Sequence, residues 1–200
     1  MKIIVIGATG TIGQAVVDLL APHHDIVKVG FKSGDLQVDI ASKGSIRKLF
    51  QSFGRFDAVV SAAGLATFGS LDQLSDEDYM LGLSNKLMGQ VNLVREGQKH
   101  INDNGSFTLT SGVLSQDPMP GSASISMVNA GLEGFVRAAA LEVKRGIRVN
   151  VVSPIWVKET MEAMGMDSSE GMPAFQTALA YKESVEGKRN GEVLDVRLFV

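Results

Sequence analysis

The sequence predicts an α/β fold: a three-layer, doubly wound parallel β-sheet of about seven strands, formed by residues 1–200 as one domain. Three observations carry this. An apolar, β-branched run at the start of the chain feeds a glycine-rich turn and then a helical pattern. Short apolar runs alternate with amphipathic stretches along the rest of the chain. No Pro/Ser-rich linker, charge block or internal repeat divides the 200 residues.

Lys2 to Ile6 reads as a strand buried on both faces, because it has no polar alternation. The turn that follows is Gly7-Ala8-Thr9-Gly10-Thr11-Ile12-Gly13. Glycines lacking a Cβ let the backbone approach a pyrophosphate, whose charge then rests on the free amides and positive end of the next helix. The spacing is Gly-x-x-Gly-x-x-Gly, which differs from the commoner Gly-x-Gly-x-x-Gly dinucleotide fingerprint. A glycine turn with no ligand would read the same. Its place between a strand and the helical pattern Thr11 to Ala21, stopped by Pro22, favours a dinucleotide cradle and a Rossmann fold.

Asp25 to Val29 is the second strand and leads into Gly30-Phe31-Lys32-Ser33-Gly34. An acidic side chain here would accept hydrogen bonds from the adenosine ribose hydroxyls, whereas Lys32 and Ser33 suit a 2′-phosphate. NADP is therefore expected, with NAD the less favoured alternative and Asp35 close enough to compete. Phe31 to Asp39 is too short for a full crossover helix. Leu36 to Val38 forms a short strand, and Asp39-Ile40 is placed to accept an adenine amino hydrogen bond and cover the ring. Ser42 to Phe53 is a helix, and Ala58 to Ser61 a strand ending in Ala62-Ala63-Gly64, small residues where backbone passes close to the cofactor.

A long helix is expected over Asp76 to Ile101 and a strand over Ser106 to Thr110, ending in the hydroxyl pair Thr110-Ser111. Then follow helix Ser124 to Lys144, strand Arg148 to Val152 with its turn through Pro154, Ile155, Trp156 and Val157, helix Pro173 to Glu186 and strand Val193 to Phe199. Right-handed crossovers place a ligand at the carboxyl ends of these strands, at the switch point of the sheet.

Nineteen Lys and Arg against 22 Asp and Glu give a net charge of −3, too even for a nucleic-acid or anionic-membrane surface. Apolar runs stay short of the ~18 residues of a membrane span, and the first residues form a strand rather than a cleavable leader. A cytoplasmic location is expected. There is no cysteine, and the three histidines (His23, His24, His100) lie unclustered at helix ends, so no metal site is expected.

With these pieces in order, the chain resembles the short-chain dehydrogenase/reductase family. The resemblance rests on Gly7 to Gly13, on Asp39, and on Ser61-Ala62-Ala63-Gly64 where the family has Asn-Asn-Ala-Gly. It continues through Thr110-Ser111, Gly146 to Pro154 and the closing Gly191 to Val196. It is similar in particular to a compact bacterial subgroup lacking the usual Tyr and Lys. The resemblance implies hydride exchange between a nicotinamide and a small carbonyl or alcohol, performed with Asn, Ser, Tyr and Lys. In that arrangement Ser holds the substrate oxygen and Tyr transfers the proton, while Lys, one helical turn later, lowers the tyrosine pKa and binds ribose.

Ser111 matches the serine. Anchoring on Ala130 to Phe135 puts Ile125 at the tyrosine position and Asn129 at the lysine position, whereas counting the usual spacing from Ser111 gives Ser124 and Val128. Neither register supplies a phenol or an ammonium. Asn129 can still hydrogen-bond ribose hydroxyls. The family Asn falls on Lys86 if Gly89 anchors the register, or on Asn85 if residue type does. Lys86, pointing inward near Ser111, would serve as proton donor or anion holder; as a surface lysine it would do neither. Tyr79 and Tyr181, the only phenols, read as packing residues.

The Met-rich stretch Trp156 to Pro173 is either an apolar lid over substrate or filling over the sheet. The two long helices resemble those of the family's dimer or tetramer bundle, which implies a homodimer, with a tetramer as the alternative. The expected function is an NADP(H)-binding oxidoreductase acting on an unidentified small carbonyl or alcohol. The alternative is a catalytically inactive NADP(H)-binding regulatory or redox-sensing protein.

Overall fold

The central strands form because their residues are buried from both sides. In the computed structural model, which describes residues 1–200, the strands are β1 (Lys2–Ile6), β2 (Asp25–Gly30), β3 (Leu36–Gln37), β4 (Phe56–Ser61), β5 (Ile101–Thr110), β6 (Arg148–Ser153) and β7 (Val193–Asp195). They pair in one all-parallel sheet of order β3-β2-β1-β4-β5-β6-β7. Ile4 lies opposite Val27 on one side and Val59 on the other. Ile4 and Ile6 enter the core built with α2 (Lys43–Phe53), α4 (Met88–Gly97) and α5 (Ala123–Glu142). Ile3 and Val5 enter the opposite core with α1 (Thr11–Leu20) and α7 (Ala174–Glu186). This is the expected three-layer arrangement, and its strand order reverses between β1 and β4, which sets the cleft at their carboxyl ends.

The parallel strands β2 and β3 are joined without a helix. Asp35 closes the loop Phe31–Asp35: its N–H donates to Lys28 O at 2.7 Å and its Oδ2 accepts from Lys28 N at 2.9 Å. Gly34 turns the chain at a φ of +112°, a conformation glycine adopts without penalty.

Several elements depart from the sequence pattern, among them β5, which begins at Ile101 rather than Ser106. The helix expected over Asp76 to Ile101 is three pieces: α3 (Asp76–Leu81), a π-helical turn over Gly82–Leu87, and α4. A Ser75/Asp78 capping box starts it, and it ends at Gly97 because Ile101 already pairs with Phe56 in the sheet. The last strand stops at Asp195, whose side chain accepts from Arg197 N at 2.9 Å and turns the chain into a 3₁₀ turn over Val196–Leu198. Within the Met-rich stretch lies an unexpected short helix, α6 (Lys158–Ala163).

Candidate active site

The turn after β1 is held open by what cannot be added to it. A Cβ at Gly7, whose φ is +81°, would lie 2.6 Å from Ala62 O, and one at Gly13 would lie 2.0 Å from Gly7 O. Gly10 caps α1 with no side-chain hydrogen bond, and no acidic residue occupies the first turn, so the helix's first amides are free to meet an anion.

Two cavities flank this turn. The first, about 350 Å³, is lined by Gly7, Thr9, Gly10, Phe31, Asp39 and Ile40. The second, about 320 Å³, is lined by Ile12, Lys86, Ser111, Asn129, Pro154, Trp156 and Val157, among others. They share Ala62, Ala63 and Gly64, so they form one cleft across the switch point. An elongated ligand with an anionic middle and two ring-bearing ends suits this shape.

Several expected cofactor contacts do not line the cleft. Thr11 and Gly13 lie behind it, shaping the start of α1. Lys32 and Ser33 are exposed on the loop beyond Phe31, which itself lines the first cavity while 65% exposed. Ser61 is a correction: it is fully buried, its hydroxyl has no partner, and its carbonyl accepts from Thr110 Oγ1 at 2.6 Å. Strand alternation points its side chain into the layer beneath the cleft. Asp39 Oδ1 accepts from Ala41 N at 2.9 Å, which leaves the other carboxylate oxygen without a protein partner at the cavity.

The second cavity is organised by Lys86. Its stem passes beneath Gly64, where a Cβ would come within 2.6 Å of Lys86 Cγ. Its ammonium donates to Ser111 O at 3.0 Å and to Asn129 Oδ1 at 2.7 Å. Desolvation lowers its pKa from 10.5 to about 8, and no carboxylate pairs with it. Both candidates for the family Asn sit on the π turn and reach the cleft. Lys86 lines the second cavity, while Asn85 lines the first and accepts from Leu65 N at 2.8 Å.

Ser111 departs from the substrate-anchoring role read from the sequence. Its backbone lines the cavity, but its hydroxyl is buried and donates to Glu133 Oε1 at 3.2 Å. The strand's alternation accounts for this, since Leu109 and Ser111 share the face packed against α5. Ile125 and Asn129 line the cavity, whereas Ser124 and Val128 are buried away from it. Counted back from Ile125, the same spacing lands on Gly112, which has no side chain. Tyr181 is fully buried, burial pushes its pKa up, and its phenol bonds Thr110 Oγ1 at 2.7 Å.

One positioning residue escaped the sequence reading. Gln90, fully buried on α4, clamps both peptide groups of Thr110, donating to its O at 2.9 Å and accepting from its N at 2.8 Å. The amides Gln90 and Asn92 among the apolar positions of Met88 to Val94 were the available signal. The Met-rich segment is pinned at its base, where Lys158 N donates to Met172 O at 2.8 Å and Met172 N to Trp156 O at 2.9 Å. Met161 and Met172 are buried filling, while Met164 and Met166 are exposed. No helix is long and apolar enough to cross a membrane.

A family model described as enoyl-(acyl carrier protein) reductase matches residues 10–196. Among curated proteins, a hydroxynaphthalene reductase of Aspergillus fumigatus is 30% identical over 167 residues, 78% of this chain and 61% of the relative, so the chain spans about three fifths of that protein. An uncharacterised oxidoreductase of Methylorubrum extorquens is 27% identical over 192 residues, 84% of this chain and 77% of the relative. Among solved structures, a protein from Listeria innocua superposes with a TM-score of 0.94 at 41% identity, covering 98% of this chain and 99% of that one. A small-chain dehydrogenase crystallised with NADPH superposes with a TM-score of 0.88 at 24% identity, covering 98% and 95%.

Proposed function

The chain belongs to the short-chain dehydrogenase/reductase family, and on that premise we propose that it is an NADP(H)-dependent oxidoreductase acting on a small carbonyl or alcohol. The observation that carries the reading is the Lys86 ammonium, set without a counter-ion at the floor of a cavity continuous with the glycine cradle. When bound, the reduced dinucleotide supplies a hydride.

The chain's own residues do the rest. The cradle Gly7 to Gly13 and the amides opening α1 receive the pyrophosphate, and Asp39 and Ile40 the adenine. Lys32 and Ser33 receive the 2′-phosphate. Asp35, the acid that would favour NAD, has one carboxylate oxygen tied to Lys28 N and does not line the cavity. Ala62 to Gly64 leave room for the backbone-hugging ribose. Asn129 and the Ser111 carbonyl hold Lys86 in one orientation, where its charge stabilises negative charge developing on the substrate oxygen. Ile125, Leu114 and Trp156 keep water from that charge. We place the protein in the cytoplasm as a homodimer assembled through α4 and α5, since α5 presents Met127 and an 87% exposed Leu141 on one outer stripe.

Fluorescence titration with NADPH and NADH, followed by a carbonyl screen monitored by cofactor oxidation, tests the proposal. Tighter NADPH binding, weakened in Lys32→Glu, is expected, with turnover lost in Lys86→Ala and retained in Ser111→Ala. Failure to bind either nucleotide overturns it. Binding without turnover of any carbonyl overturns the enzyme and leaves a nucleotide-binding regulator. A monomer by light scattering, unaffected by Leu141→Glu, overturns the dimer.

A further inference from the structure

Glu133 on α5 is a buried carboxylate that lines neither half of the cleft. Its cationic neighbour, the exposed Arg137 one helical turn on, approaches Oε2 only to 3.8 Å. The other oxygen, Oε1, receives two hydroxyls: Ser111 Oγ donates to it at 3.2 Å and Ser115 Oγ at 2.5 Å. A carboxylate is costly to bury, and this one is kept where it ties down two points of a single turn.

That turn is a wall of the second cavity. Ser111, Gly112, Val113 and Leu114 line the cavity, and the segment ends in a 3₁₀ turn over Val113–Ser115. Its backbone is fastened towards β6, where Ser111 N donates to Val152 O and Val113 N to Pro154 O, each at 2.9 Å. Towards α5 its hydrogen bonds all involve side chains: two end on Glu133, and a third runs from Asn129 Nδ2 to Gly112 O at 3.3 Å.

Lys86 depends on this turn twice. Ser111 O is one of its two anchors, and Asn129, the other, is itself fastened to Gly112 O. Asn129 and Glu133 are four residues apart on α5, so one face of the helix both orients the lysine and holds the wall it leans on. Without an acceptor at position 133 the two hydroxyl protons have other carbonyls in reach, Val152 O at 3.4 Å for Ser111 and Gly112 O at 3.0 Å for Ser115. The second of these is the carbonyl that steadies Asn129.

We infer that Glu133 is a positioning residue: it clips the turn Ser111 to Ser115 against α5 and thereby fixes the direction and the dryness of the Lys86 ammonium. This rests on the part given to Lys86 above. What is required at position 133 is an acceptor oxygen rather than a charge, since both hydroxyls meet the same atom and the guanidinium stands apart. Ser111→Ala cuts only the longer of the two ties and leaves the turn clipped through Ser115.

The test compares Glu133→Met, Glu133→Gln, Ser115→Ala and Arg137→Ala with the wild type by two readouts. The first needs no turnover: acetylation of Lys86 by acetic anhydride, followed by peptide mapping from about pH 6 to 11, reports where its amine loses the proton. Wild type and Arg137→Ala show the break at about 8, and Glu133→Gln, which keeps the oxygen, restores it. Glu133→Met moves the break up by at least about one unit as water reaches the ammonium, and Ser115→Ala moves it the same way. The second readout is NADPH oxidation with a carbonyl found by the screen above: Glu133→Met lowers kcat about 10-fold with KM within about twofold. Ser115→Ala changes no core side chain and carries both readouts if Glu133→Met does not fold. An unmoved break in Glu133→Met and Ser115→Ala overturns the inference, and so does a shift in Glu133→Gln as large as that in Glu133→Met. Absence of turnover in the wild type overturns the oxidoreductase reading and leaves the labelling result to decide the clip.

Discussion

Replacing Lys86 by Met makes the burial of its charge measurable as a dependence of stability on pH. In the unfolded chain this lysine titrates near 10.5, and desolvation in the fold brings it to about 8. At about 1.4 kcal/mol per unit, the gap corresponds to about 3 kcal/mol. The sign follows from which state holds the proton. Below pH 8 both states are charged and the fold carries the whole desolvation penalty. Between 8 and 10.5 the unfolded chain binds a proton that the native protein does not, so native stability rises relative to the variant. Above 10.5 both states are neutral and the penalty is gone. The substitution also strips the donor from Ser111 O and Asn129 Oδ1, at about 1–3 kcal/mol each. That loss does not depend on pH and drops out of the slope. Urea unfolding of both proteins from pH 7 to 10.5 is therefore expected to show the difference in stability moving by about 3 kcal/mol in favour of the lysine. Parallel curves would refute the claim that this ammonium is desolvated.

Three further outcomes test other parts of the fold. Gly13→Ala drives its Cβ to 2.0 Å from Gly7 O, whereas at Gly10 the nearest atom is 3.5 Å away; thermal unfolding should fall sharply for Gly13→Ala and barely move for Gly10→Ala, and equal effects would contradict the cradle geometry. Glu96 joins α2 to α4, and the hydrogen bond from Lys99, followed by that from Arg47, holds its carboxyl at about 2. Its stabilising contribution is present above 4.5 and lost as pH falls towards 2, so Glu96→Gln should unfold at a lower temperature at neutral pH, with the gap to wild type closing across that acid range. Tyr181→Phe removes a buried phenol that only braces Thr110; a loss of about 1 kcal/mol in stability with unchanged turnover is expected, and loss of turnover would give that phenol a catalytic part.

The strands were legible because a parallel sheet covered on both faces demands continuous apolar, β-branched runs, and Ile3 to Ile6 and Ala58 to Ser61 have them. The first half of β5 was not. Its residues Ile101 to Gly105 are mostly polar and are held by the Asn102–Asp57 hydrogen bond at 2.7 Å and by Asn104 at a φ of 61°, which are tertiary facts. The π turn was hidden because Leu81 to Val91 keeps a plausible helical pattern through it. The direction of the Ser111 hydroxyl was partly readable: it shares parity with the core residues Phe107 and Leu109, so alternation alone turns it towards α5.

What the sequence presents as two separate losses becomes one arrangement in the structure. Resemblance assigns an amide to the helix after β4 and an ammonium to the helix after β5; the chain has Lys86 on the first and Asn129 on the second. On the register that puts Ile125 at the tyrosine position these are the matching positions, and the two groups meet at 2.7 Å. The ammonium therefore reaches the cavity from the opposite helix, with the amide orienting it. Both Asn85 and Lys86 sit on the π turn: Asn85 accepts from Leu65 N in the first cavity while Lys86 charges the second. No phenol takes the place of Ile125: the hydroxyl-bearing residues lining the cavity are Thr110, Ser111 and Thr160. Lys86 is the cavity's one ionisable group, and its lowered pKa makes it both the charge and the acid available to an oxyanion formed there.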